Sequence, residues 1–104
     1  MMWRQGDILF QTIEQIPFGV ARMPNLVLAS GDSTSHRHMI KDRKTAELFR
    51  SSNVTIDDLF LNVTANEASV VHPEHNTIVL PKGCYRVWHQ REFGEDKKPK
   101  RVVD

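Results

Sequence analysis

Apolar positions in this chain recur at short, even spacings, broken every few residues by proline, glycine or clustered polar residues. That pattern predicts β-strands joined by turns rather than amphipathic helices. From Gly6, the run Asp7-Ile8-Leu9-Phe10-Gln11-Thr12-Ile13 reads as a first strand, apolar enough to be buried on both faces in its middle. Leu26 to Ser30, entered from Pro24-Asn25, reads as a second. Residues 36–40 and 45–50 read as a hairpin turning at Lys41-Asp42-Arg43-Lys44, with a short helix over Thr45 to Phe49 as the alternative. Val54 to Ile56 is a brief strand after the Ser51-Ser52-Asn53 turn. Leu59, Leu61 and Val63 share one face of a strand over 59–64, and Ala68 to His72 forms the next.

Two later turns carry proline at their second position, where its fixed φ suits a type I or II turn. They are His72-Pro73-Glu74-His75 and Leu80-Pro81-Lys82-Gly83, with the short strand Thr77 to Leu80 between them. Cys84 to Phe93 is the longest strand candidate. Tyr85, Val87, His89, Arg91 and Phe93 face one way along it, and aromatics on both faces predict a central place in the sheet. Beyond Gly94 the segment 95–104 is charged, with almost nothing to bury, and reads as a solvated tail. A nuclear-import or nucleic-acid role for Lys97 to Arg101 is diluted by Glu95 and Asp96. Seven or eight short antiparallel strands over residues 1–94 predict a single all-β domain, a small compact barrel or sandwich.

Composition narrows the class. With 104 residues, 39% of them hydrophobic and 26% charged, the chain has the make-up of one soluble globular domain. No run approaches the ~18 apolar residues of a membrane span, and Met1 to Asp7 lacks the apolar core of a signal peptide. No membrane association and a cytoplasmic location are therefore expected. The single cysteine, Cys84, rules out an internal disulfide and a cysteine-rich zinc site; it is expected as a small buried hydrophobe. Net charge is +1. Four of the 14 basic and three of the 13 acidic residues lie in the last ten positions, which leaves a neutral body that exerts no long-range pull on polyanions.

The chemistry lies in the histidines. In Gly31-Asp32-Ser33-Thr34-Ser35-His36-Arg37-His38 a loop-forming stretch runs into two histidines at i and i+2, which share a face if the segment is extended. His72 and His75 occupy the first and fourth positions of one turn, which brings their Cα atoms within ~7 Å. If the two segments meet, His36, His38, His72 and His75 could surround a divalent ion such as zinc, manganese, iron or nickel. Glu74 and Asp32 are the carboxylates placed to complete the set or to orient a ring. Three histidines and a carboxylate with one open position make a catalytic rather than a closed structural site. Histidines also cluster near turns without any metal, and His-x-His alone is a weak signal. His89, flanked by Tyr85, Val87 and Phe93, reads as a hydrogen-bonded core histidine.

Much of the chain resembles a family of small uncharacterised bacterial proteins. The pattern runs Arg-Gln-Gly-Asp, then Gly-Glu-x-Thr-Gly-His-x-His, then His-x-Glu-His-x-x-Ile-x-Leu-Pro-x-Gly-x-Tyr-x-Val, closing on Gln-Arg-Glu-Tyr. Here these are Arg4 to Asp7, Gly31 to His38, His72 to Val87, and Gln90 to Phe93. Asp32, Ser35, Pro73 and Phe93 depart from it, and the resemblance implies no activity. A thinner likeness to cupins lays Gly31, His36, His38 and Glu47 over the first cupin motif. The second half departs, because His72 and His75 precede Pro81-Lys82-Gly83 where a cupin places its last histidine after such a turn.

Three functions compete. One is a metal-dependent hydrolase in which the four histidines hold the ion and Glu74 acts as ligand or base. A second is a metal-free nuclease or phosphoesterase, with two histidines as general acid and base and Arg37, Lys41, Arg43 or Arg91 steadying a phosphate. The third is a non-enzymatic module that binds RNA or protein through the basic segment 37–50. The substrate could thus be a small molecule or a nucleic acid. Exposed sheet edges make a homodimer the expected assembly.

Overall fold

The computed structural model describes residues 1–30, 36–52 and 58–90. Eight strands follow in chain order: β1 (Met2–Gln5), β2 (Ile8–Ile13), β3 (Val20–Arg22), β4 (Val27–Ser30), β5 (Arg37–Ile40), β6 (Ala46–Ser51), β7 (Leu59–His72) and β8 (His75–His89). All pairings are antiparallel, in the order β1-β2-β8-β7-β5-β4, with β6 bridging β3 and β7. The sheet curls into a half-barrel. Among the described residues there is no helix, and so none long and apolar enough to cross a membrane.

Period-two alternation decides which side chains the curl encloses. Ile8 and Phe10, Ala46 and Leu48, Leu61 and Val63, Ala68 and Val70, and Tyr85 and Val87 are buried pairs two residues apart. Leu28, Ile40 and Leu80 complete the core. Each buried Val, Leu, Ile or Phe among them contributes ~1.5–3 kcal/mol by leaving water, and each Ala less. Trp3 meets Tyr85 edge to face, with ring centroids 5.6 Å apart, and closes the β1 side. β8 lies between β2 and β7, the central place its two aromatic faces predict. On its outer face Arg86 bonds Asp58 at 2.6 Å and covers the Trp88 ring at 4.1 Å.

Several expected boundaries are different. Segments 36–40 and 45–50 do not form a hairpin with each other, and 45–49 is not helical. β5 pairs with β4 and β7, whereas β6 pairs with β3 and β7. They lie along opposite halves of the same long strand, so the chain between them is a crossing and not a turn of one ladder. Asp42 holds that crossing, its carboxylate accepting from the Lys44 N–H at 2.9 Å and its carbonyl from Thr45.

Nor do Leu80 to Gly83 turn. β8 runs through them, and strands expected over 59–64 and 68–72 are one continuous β7. The register jumps from Val63↔Gly83 to Glu67↔Pro81, so β7 carries extra residues there and the hairpin bends. Pro81, lacking an N–H, sits where β2 no longer flanks β8, since that pairing ends at Ile13↔Cys84. Gly83 at φ 145° supplies backbone that other residues rarely adopt. The proline–glycine device bends a strand here without ending it.

Cys84 is half-buried on the outer face, its thiol 3.8 Å from the Asn62 side-chain oxygen, and is not a core residue. β1 and β3 are strands with no counterpart in the pattern reading. The brief strand at 54–56 and the tail 95–104 lie outside the described residues.

Candidate metal centre

Register brings the histidines together. Met39 pairs with Val71 and Ile40 with Val70, so one further step sets His38 opposite His72. His72 and His75 face each other across the tip of the β7–β8 hairpin. No described non-glycine residue has positive φ, which excludes a type II turn at Pro73-Glu74. The resulting ring centroids are 4.3 Å apart for His38–His72, 4.6 Å for His72–His75 and 5.6 Å for His38–His75. One ligand nitrogen from each of the three can be chosen so that all lie within 4.8 Å of one another. Burial grades across the triad, from His38 through half-buried His72 to exposed His75, so the site opens to solvent on one side.

His36 is adjacent but outside this triad. Its ring lies 6.1 Å from that of His72, and its Nε2 is 3.4 Å from a carboxylate oxygen of Glu74. Glu74 also donates its backbone N–H to Nδ1 of His72 at 3.0 Å. Arg37 goes the other way. On β5 the burial alternates, and Arg37 and Met39 face away from His38. They line a separate pocket of about 720 Å³ with Arg22, Met23, Lys41 and Arg43, to which no histidine contributes. Glu47, the residue a cupin overlay would bring to the ligands, pairs instead with Arg22 and Asn62. Asp32 and Arg91 lie outside the described residues.

The β1–β2 turn forms the remaining wall, and pattern reading gave it no role. Gly6 at φ 61° takes the first central position of a two-residue hairpin, a conformation suited to glycine. A Cβ on Gly6 would sit 2.8 Å from Nε2 of His75, so the ring packs directly on the glycine backbone. Gln5, 2% exposed, donates its amide to the carbonyls of Val70 and Asn76 at 2.9 Å each, and its Oε1 lies 2.9 Å from Nδ1 of His38. Asp7 bonds Nε2 of His89 at 3.2 Å. His89 is thus a partly exposed, carboxylate-paired residue beside the cluster, not a core histidine among Val87 and Tyr85. The available signal was a polar residue alternating inward after Trp3, immediately before a Gly-Asp turn.

The electrostatics favour the neutral ring at His38 and at His72. Burial, followed by the fields of His72 and His75, pushes the pKa of His38 down to about 4, while Asp7 opposes the shift. Burial and then His75 also lower His72, with Glu74 and Asp7 acting in the opposite sense. Neutral imidazole is the form that ligates metals. Ligand nitrogens around a tetrahedral zinc sit ~3.3 Å apart, given Zn–N bonds of ~2.0–2.1 Å. The triad therefore needs to close by at most ~1.5 Å, within reach of small ring rotations at exposed His75 and half-buried His72.

Fold and site together define a small all-β protein whose histidines converge in an open triad. The chain belongs to a family described as Domain of unknown function (DUF8820), whose model matches residues 4–90. No curated protein and no solved structure matches it.

Proposed function

We propose that this protein binds one divalent metal ion through His38, His72 and His75 and acts as a metal-dependent hydrolase. The observation that carries this reading is the convergence of three imidazoles from two distant segments, graded from buried to exposed. A divalent ion held there supplies Lewis-acid chemistry to a substrate oxygen or to water. Glu74, at the open rim, is positioned to take up a proton, and His36 beside it steadies the carboxylate. His72 must adjust. Its Nδ1 accepts from the Glu74 N–H, so the neutral ring carries its proton on Nε2. For His72 to hold an ion through Nε2, that proton would have to reside on Nδ1, at the expense of the Glu74 contact.

The same contact favours a second reading, metal-free acid–base catalysis, because a neutral His72 presents Nε2–H as a donor beside His38. Metal analysis of untagged protein separates the two. The expected result is one zinc, manganese, iron or nickel ion per chain, lost in His38→Ala, His72→Ala and His75→Ala. His36→Ala should retain it with affinity changed only a few-fold. Hydrolysis of p-nitrophenyl phosphate or acetate should vanish in chelator. Absence of stoichiometric metal, with no rise in melting temperature on adding any of the four ions, overturns the metal reading. RNA cleavage that persists in chelator and is lost in His38→Ala would establish the second.

A further inference from the structure

Among the described residues, the buried polar side chains are Gln5 and His38, and they are bonded to each other. The two ends of a side-chain amide are alike in shape, so their identity rests on their partners. Here one end faces two backbone carbonyls, of Val70 and Asn76, which only N–H groups can satisfy. Both amide hydrogens are thereby used. The other end is the oxygen, which can only accept, so the proton shared with His38 belongs to the ring's Nδ1.

We infer that Gln5 is the positioning residue of the histidine site, holding His38 as the Nδ1–H tautomer with the Nε2 lone pair free. Its two anchors make the arrangement specific to this fold. Val70 lies on β7 two residues before His72, and Asn76 on β8 directly after His75. Gln5 thus ties the orientation of one ring to the strands that carry the other two. Ligating histidines commonly donate their second nitrogen to a carbonyl or carboxylate in this way, and losing such a partner costs 10–100-fold in metal affinity. That last consequence rests on the metal-binding reading; the tautomer does not.

The test is long-range proton–nitrogen NMR on histidine-labelled protein in chelator at pH 7. The expected spectrum gives His38 a protonated Nδ1 and an unprotonated Nε2, the reverse of the form free histidine favours. Gln5→Met, which keeps length but has no amide, should release His38 to a tautomer mixture and weaken zinc binding 10–100-fold. In the wild type the two Gln5 side-chain amide protons, as donors to the Val70 and Asn76 carbonyls, should exchange slowly with solvent. A protonated Nε2 or an even mixture in the wild type overturns the inference, as does an unchanged tautomer in folded Gln5→Met. If Gln5→Met does not fold, the wild-type tautomer and the protection of the Gln5 amide protons decide: a tautomer other than Nδ1–H, or amide protons that exchange freely, overturns the inference. A wild type with the expected tautomer and no zinc affinity would sink the metal reading and leave the positioning role standing.

Discussion

Lowering the pH from 7 to 5 should destabilise this protein through His38, and the size of the effect follows from its surroundings. The ring is 7% exposed and held near neutral charge by burial and by two neighbouring histidines, with a pKa of about 4. In the unfolded chain the same group titrates near ~6.5. Between those values the unfolded state binds a proton that the folded state refuses, so stability is complete above ~6.5 and falls as the pH drops toward 4. By pH 5 the full shift corresponds to about 2 kcal/mol. Water at the open side of the site, around exposed His75, screens the fields of the neighbouring rings, which reduces this to about 1 kcal/mol. His72, shifted in the same direction, adds to the slope. The assay is urea unfolding at pH 7, 6 and 5 in chelator, with His38→Asn alongside. Wild-type stability should fall about 1 kcal/mol further than that of the variant. Parallel curves, or a wild type that gains stability on acidification, would refute the reasoning.

Three further substitutions probe separate parts of the structure. Gly6→Ala places a methyl 2.8 Å from Nε2 of His75 at a φ of 61°, so it should cost ~1–2 kcal/mol in backbone strain and also weaken metal binding. Gly83→Ala is strained too, but nothing lies within 4 Å of its added methyl; chemical denaturation should register a loss there while metal titration does not. Leu48→Ala empties a fully buried position on β6 and should lower unfolding free energy by ~2–5 kcal/mol, leaving metal stoichiometry intact.

The all-β architecture was legible because alternation is written directly into stretches such as Leu59-Phe60-Leu61-Asn62-Val63. The meeting of His38 with His72 and His75 was legible as a possibility, since each segment presents its imidazoles locally. What joins the segments was not. The Met39↔Val71 register depends on which strands neighbour β7, and that is fixed by burial across the whole molecule. Pro81 and Gly83 carried an ordinary turn signal, yet bulge and twist absorb them into β8, because a bend there lets one hairpin serve both halves of the sheet. Arg37 shows the cost of reading a basic residue by sequence proximity: between two histidines on a strand, it faces the opposite side. Gln5 lies in the Arg4 to Asp7 element of the family pattern, but that element names no chemistry for a glutamine; its importance arises only where three partners surround it.

The site is assembled from contacts of very unequal range along the chain. His72 and His75 are three positions apart and meet as soon as their hairpin closes, a microsecond event for isolated hairpins. Gln5 reaches His38 across 33 positions and the Val70 carbonyl across 65, closures that slow-folding topologies complete late. Two of the three rings therefore meet early on the folding route, while the buried one arrives with the final collapse. A bound ion that needs all three rings should accordingly slow unfolding and leave the refolding rate almost unchanged.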